Sequence, residues 1–219
     1  LPSSGAFFAF ATGAFMLFNR LKDEKLKRIL AASFIIIPII LSVAAFKRNS
    51  VWGSEISLWE DAVRKSPGKA RPHNNLGLAL ASAGRTDEAI GHYLTALRIN
   101  PYYYEAHNNL GSAYSINGLG EQAMEHYQAA SRIRPDSASL QFNLGNAYQK
   151  EGNYESAVFH YRLALSLEPG FSEAACNLGS IHASRGEPEK AMGLYLAALR
   201  LDPENVTALN NLGLLYMTE

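Results

Sequence analysis

A single cysteine, Cys176, in a chain of 219 residues rules out an internal disulfide and leaves no CxxC pair to hold zinc. It reads as a small packing residue. Charge of one sign is also missing, because twenty lysines and arginines are balanced by twenty aspartates and glutamates. Without a basic stripe to gather phosphates, nucleic acid is not expected as a partner. The chain contains no HExxH, GxSxG or Walker loop, and no paired carboxylates in an expected cleft. No catalytic residue, metal site or cofactor is therefore read from it.

Long apolar runs are confined to the first fifty residues. Residues 29–46, ILAASFIIIPIILSVAAF, carry no charge and as a helix span roughly 27 Å of a ~30 Å hydrocarbon core. They read as a transmembrane helix, in which Pro38 is tolerated once neighbours satisfy the freed carbonyl. Residues 1–18 are uncharged too and read as the tail of another, truncated span. The alternative is a signal peptide, but an initiator Met and a basic start are missing. Residues 19–28 between the runs hold Arg20, Lys22, Lys25, Lys27 and Arg28, whereas Lys47 and Arg48 follow the second run. Positive-inside bias makes the short loop cytoplasmic. Residues 1–46 are then expected in a lipid bilayer, with everything beyond them in a periplasm or an organelle lumen.

The rest of the chain repeats. Gly77, Gly111, Gly145, Gly179 and Gly213 stand 34 residues apart, each preceded by leucine and, before that, by Asn75, Asn109, Asn143, Asn177 or Asn211. Further columns are Ala89, Ala123, Ala157 and Ala191, then Tyr93, Tyr127, Tyr161 and Tyr195, then Pro101, Pro135, Pro169 and Pro203. Small residues let two antiparallel helices approach, the tyrosine fills the space between them, and the proline ends the second helix. Gly84, Gly118, Gly152 and Gly186 are placed to end each first helix with a positive φ. This pattern resembles the tetratricopeptide repeat. The resemblance implies an all-α, right-handed superhelical solenoid with a concave groove, preceded here by two transmembrane helices. Full repeats are expected at residues 70–103, 104–137, 138–171 and 172–205, with the first helix of a truncated fifth at 206–219. Residues 49–69 read as a capping half-repeat, with Trp59 in the tyrosine column, Ala62 in the column of Ala96, Ala130, Ala164 and Ala198, and Pro67 in the proline column.

At 100° per residue, His107, Leu110, Gly111 and Tyr114 cluster on one side of their helix, and Glu105, Asn109, Ser112 and Ile116 on the other. The asparagines are thus expected to face away from the packing seam and to form an amide ladder along the groove, one rung per repeat. Such amides pair with peptide groups whatever the side chains, which points to an extended, disordered partner. The register resembles the asparagine ladder in the repeats of the O-linked N-acetylglucosamine transferase, and that resemblance implies peptide-backbone binding. The other reading is that asparagine merely suits a solvated helix face or bonds its neighbouring repeat. Glu105, Ser112, Asn146 and Ser180 complete the candidate groove, whose columns are too mixed to predict a ligand charge. His92, His126 and His160 share a column but stand one per repeat, too far apart for a common ion, and read as partly exposed second-helix residues. Tyr102, Tyr103 and Tyr104 lie at a repeat junction, where aromatic packing is expected. Asn205 heads an NVT triplet, a glycosylation sequence only in a eukaryotic lumen.

One segment carries more than the repeat pattern. Arg48, Asn49, Trp52, Glu55, Leu58, Trp59, Pro67, Ala70, His73, Asn75, Leu76 and Gly77 resemble the membrane-to-repeat junction of the transmembrane and tetratricopeptide repeat-containing O-mannosyltransferases and their bacterial relatives. That resemblance implies a polytopic, dolichol-phosphate-sugar-dependent parent whose repeats face the lumen or periplasm. The family's catalytic acidic residues lie in an early loop that this chain does not contain. Three functions are consistent with these residues: a membrane-anchored module binding a protein or peptide, the acceptor-holding arm of an O-glycosyltransferase, and a scaffold for an envelope assembly.

Overall fold

The computed structural model describes residues 22–50 and 53–218, which divide into two units at residue 54. In the first unit Asp23 starts helix α1 (Glu24–Ser50) by accepting the N–H groups of Lys25 and Leu26 at 2.8 and 3.2 Å. The helix runs through Pro38, and Ile36, Ile37, Ile39, Ile40, Leu41 and Val43 are each at least half exposed. Of the two expected spans, residues 1–18 lie outside the described residues and residues 29–46 fall within α1. Among the described residues no helix is long and apolar enough to cross a membrane. The structure therefore does not support the two transmembrane helices of the expected fold.

The second unit is all-helical among its described residues. A lone helix α2 (Glu55–Lys65) precedes four helical hairpins: α3 (Ala70–Ser82) with α4 (Thr86–Ile99), α5 (Tyr104–Ile116) with α6 (Gly120–Ile133), α7 (Ala138–Lys150) with α8 (Tyr154–Leu167), and α9 (Ser172–Ser184) with α10 (Pro188–Leu201). Helix α11 (Val206–Thr218) follows without a partner. Each helix packs on the next, and the first helices of successive hairpins also touch: α3 on α5, α5 on α7 and α9 on α11. The first helices therefore line one continuous inner face.

Packing within a hairpin follows from two residue types. Tyr93, Tyr127, Tyr161 and Tyr195 lie buried against the glycine of their own first helix. A Cβ on Gly77, Gly111, Gly145 or Gly179 would come within 2.5–2.8 Å of the ring. Only hydrogen fits in that gap. The tight connection between the helices is equally local. Gly84, Gly118, Gly152 and Gly186 have φ of 72–77°, and in the second repeat the Leu119 and Gly118 N–H groups return to the Tyr114 and Ser115 carbonyls at 2.9 and 3.3 Å. Such paired bonds let glycine close a helix in the left-handed region. A Cβ on Gly118 would meet nothing within 4 Å, so Gly118→Ala carries a purely conformational penalty. Its expected cost is about 1–2 kcal/mol, read by denaturant unfolding.

At the start of the array Ile56, Trp59 and Val63 of α2 pack on the cluster formed by Leu76, Leu80, Tyr93 and Leu110. Each second helix stops two residues before Pro101, Pro135, Pro169 or Pro203, since the residue ahead of proline is pushed out of the helical region.

Candidate inner-face site

All five ladder asparagines lie on the inner face, half-buried, on α3, α5, α7, α9 and α11 in turn. They do not stand free in the groove. Asn109 Nδ2 donates to Asn74 Oδ1 at 3.0 Å and Asn143 Nδ2 to Asn108 Oδ1 at 2.8 Å, each reaching back to the preceding repeat. Asn177 Nδ2 donates to Asn146 Oδ1 at 2.8 Å and Asn211 Nδ2 to Ser180 Oγ at 3.0 Å. Asn75, which heads the ladder, accepts from Asn74 Nδ2 at 3.2 Å. The helical wheel places these residues on the inner face but does not show their bonds, because it treats a helix alone, whereas the first helices lie close enough for an amide to bridge them.

The acceptor changes along the array for a visible reason. Asn74 and Asn108 supply a carbonyl oxygen one residue before the ladder position, but Phe142 and Cys176 occupy that column in the next two repeats. Phenylalanine accepts nothing, and the Cys176 Sγ is a distant second partner for Asn211 at 4.0 Å. The later rungs therefore use the column one turn further on, at Asn146 and Ser180.

That second column also receives the buried tyrosines. Tyr127 donates to Ser112 Oγ at 3.1 Å, Tyr195 to Ser180 Oγ at 3.4 Å, and Tyr161 contacts both Asn146 Oδ1 and Gln149 Oε1 at 2.7 Å. One hydroxyl carries one hydrogen, and Asn146 Oδ1 is fixed as an acceptor by Asn177. Gln149 must then turn its amide and donate to the phenol oxygen. Burial pushes the Tyr161 hydroxyl up to about 12, and it raises Tyr127 and Tyr195 as well. The ladder consists of uncharged donors and acceptors across the physiological pH range. It suits peptide groups better than ions.

The rungs use one of the two amide hydrogens on Asn109 and Asn143, whereas Asn177 Nδ2 also donates to the Tyr161 hydroxyl at 3.4 Å. Among the described residues nothing donates to the Oδ1 of these three. Both halves of a peptide-like hydrogen-bond pair therefore remain on Asn109 and Asn143, and the carbonyl oxygen on Asn177. Two recesses open beside the ladder. One of about 520 Å³ is lined by Arg71, Asn74, Asn75, Asn100, Tyr103 and Glu105, which joins two of the candidate residues in one concavity. The other, about 300 Å³, lies at Ser180, Tyr195 and Asn211.

Asn74 and Asn108, the first two acceptors, are absent from the candidates read from sequence, although the Asn-Asn doublets at 74–75 and 108–109 are a usable signal. The histidine column also has partners that the sequence reading omits. His73 Nδ1 faces His92 Nδ1 at 3.3 Å, His107 Nδ1 faces His126 Nδ1 at 3.0 Å, and His160 Nδ1 meets Gln141 Oε1 at 2.8 Å. Among the described residues no three ligating side chains are grouped to hold a metal. Burial and the paired Asn211 act in opposite directions on Cys176, and burial wins, keeping the thiol protonated.

Comparison with known proteins adds to this geometry. The family model for the TPR repeat matches residues 77–118, 120–152 and 179–218, and that for the tetratricopeptide repeat matches residues 138–171. Mouse protein O-mannosyl-transferase TMTC1 is 37% identical over 70 residues, which cover 32% of this chain and 7% of that protein. The human protein is 36% identical over 70 residues, 32% of this chain and 8% of its own length. This similarity lies in the repeats. Among solved structures, MamA superposes with a TM-score of 0.61 at 22% identity, over 68% of this chain and 87% of its own. YrrB, described as a TPR protein with an unusual peptide-binding site, superposes with a TM-score of 0.61 at 22% identity, over 73% and 82% of the two chains.

Proposed function

Since the chain belongs to the tetratricopeptide repeat family, whose arrays bind proteins, we propose that it is a membrane-tethered module holding an extended polypeptide against its asparagine ladder outside the cytoplasm. The observation that carries this reading is the unspent half of each rung. Asn109, Asn143 and Asn177 are fixed by bonds to the preceding repeat, yet Asn109 and Asn143 each keep one N–H and the carbonyl oxygen, and Asn177 keeps its carbonyl oxygen. Amides held in place lose little entropy on binding, so they recognise a backbone at low cost. The peptide-binding description of YrrB is compatible with this use of the fold.

The tether rests on residues 29–46, which are uncharged and lie within α1. Its exposed isoleucines, at Ile36, Ile37, Ile39 and Ile40, would be covered by lipid. The basic residues from Arg20 to Arg28 favour a cytoplasmic side for residues 19–28, which supports a periplasmic or lumenal side for the repeats.

A second reading has its own support. The identity to TMTC1 suits a module that presents acceptor polypeptides to a lipid-linked-sugar-dependent O-glycosyltransferase, as the junction around Trp52 and Trp59 does. The chain spans less than a tenth of the length of these relatives, so the activity would belong to a larger parent.

The test is a peptide-library pull-down with the full chain in mild detergent, comparing wild type with Asn109→Ala/Asn143→Ala/Asn177→Ala. At about 0.5–1.5 kcal/mol per lost hydrogen bond, three rungs should weaken capture by at least tenfold. Melting of the same variant measures the loss of the bonds between repeats separately. Equal capture by the two proteins would make the asparagines purely structural and the array a scaffold.

A further inference from the structure

In the first repeat, His73 on α3 holds three parts of the array together. Its Nε2 lies 3.1 Å from the Pro67 carbonyl, in the loop before α3, while its Nδ1 faces His92 Nδ1 on α4. The second repeat copies this arrangement, with His107 Nε2 3.1 Å from the Pro101 carbonyl and its Nδ1 facing His126 on α6. A carbonyl can only accept, so the Nε2 of His73 and of His107 carries the hydrogen. A neutral imidazole has only one, which leaves Nδ1 of both rings as a lone pair. The bridging proton therefore belongs to His92 and His126.

Such a bridge has a limited tolerance for acid. A first added proton goes to Nε2 of His92 or His126 and keeps the bridge, but it puts a charge in a half-buried place. A second can go only to Nδ1 of His73 or His107, where it sets two donors and two positive charges face to face. The groups around the pairs do not cancel this. Glu60 on α2 and Glu88 on α4 favour a charged His92, and Glu125 on α6 favours a charged His126. Tyr114 of α5 lies stacked on His126, a neutral neighbour. Burial outweighs the carboxylates, and together with the partner histidine it holds His92 and His126 below the usual histidine range.

The third repeat provides a natural contrast. Gln141 occupies the His73 column, donates Nε2–H to the Pro135 carbonyl at 2.9 Å and accepts from His160 Nδ1 at 2.8 Å. A protonated His160 still donates through Nδ1, so acid does not break this bridge. Burial lowers His160 as well, but no second basic ring opposes it. Tyr148 stacks on it as Tyr114 does on His126.

We propose that His73–His92 and His107–His126 are acid-labile latches that loosen the first two repeats more than the third. The sign follows from linkage. A histidine whose folded value is depressed binds more protons when unfolded, so its stabilisation is complete above the unfolded value, near 6.5, and is lost as pH falls through it. Opening reaches the inner face, because α3 and α5 also carry Asn74, Asn109 and the recess at Arg71 and Glu105. The device does not depend on the ligand being a peptide.

The experiment is hydrogen exchange on the full chain in mild detergent at pH 7.5 and pH 5.0, corrected for intrinsic rates. Acid should raise opening of α3 to α6 more than that of α7 and α8, where no second basic ring faces the histidine. His73→Gln/His107→Gln copies the third repeat and should abolish the difference. Uniform opening along the array, or a Gln variant that opens like wild type, would overturn the proposal. Should that variant not fold, imidazole nitrogen NMR of the wild type at pH 7.5 decides. His92 and His126 must be Nδ1–H tautomers and His73 and His107 Nε2–H tautomers; the reverse assignment sinks the latch.

Discussion

Replacing Gly145 with alanine is expected to destabilise the array by about 1–3 kcal/mol, the cost of forcing a methyl group into a filled core. The new Cβ would fall 2.5 Å from Tyr161 Cε1, and the ring cannot swing away because Tyr161 is 0% exposed. Helix propensity works the other way, since alanine is favoured over glycine by nearly 1 kcal/mol inside a helix. The measured loss is thus the steric cost less that gain. Gly213 supplies the control. It holds the same column on α11, but a Cβ there meets nothing within 4 Å. Gly213→Ala should be neutral or slightly stabilising in urea unfolding, and a loss equal to that of Gly145→Ala would refute the steric account. The double variant Gly145→Ala/Tyr161→Leu should recover part of the loss, which would locate the clash at that ring.

Tyr161→Ala should cost more, about 3–5 kcal/mol, as truncating a buried aromatic does. The ring packs in a cluster with Ala157, Val158, Leu178 and Ile181, drawn from its own helix and from α9 in the next repeat. Phe142 lies tilted beside it, with centroids 5.9 Å apart. The cavity would therefore open within the third repeat and at its border with the fourth. Tyr161→Phe tests the polar end alone, retaining the packing and losing the contacts to Asn146 and Gln149, for about 0.5–1.5 kcal/mol. If the Phe variant proves as damaging as the Ala variant, the hydroxyl network and not the ring closes this repeat.

The columns that can be read in the sequence are those in which one residue type alone fits. Glycine under tyrosine and glycine at positive φ recur because nothing else occupies those places without strain, so the hairpins can be read from their spacing. The rungs are harder to read. Whether Asn177 and Asn211 reach back by one column or the other depends on Phe142 and Cys176 respectively, residues that look like ordinary packing until two helices are set side by side. The histidine pairs carry a sequence signal in their 19-residue offset, shared by His73 with His92, His107 with His126 and Gln141 with His160. A search for metal ligands spaced one per repeat overlooks it. The junction tyrosines divide: Arg134 lies 4.3 Å over the Tyr104 ring and donates to its hydroxyl at 2.7 Å, whereas Tyr102 is 78% exposed. A run of identical letters does not distinguish the two, since helix α5 begins between them.

The alternating acceptors let every rung form although neither column keeps one residue type. Every full repeat offers its successor an oxygen at one of two positions a helical turn apart: Asn74 in the first, Asn108 or Ser112 in the second, Asn146 in the third and Ser180 in the fourth. Where one position has drifted to Leu78, Phe142 or Cys176, the other still serves. A substitution is silent for the rung only where an alternate stands, as Ser112 does for Asn108 in the second repeat; Asn74, Asn146 and Ser180 have none. Absence from both columns leaves an asparagine without its partner. Lengthening by duplication meets the same condition, because any copied repeat brings its own acceptor and finds one waiting in whichever repeat it follows.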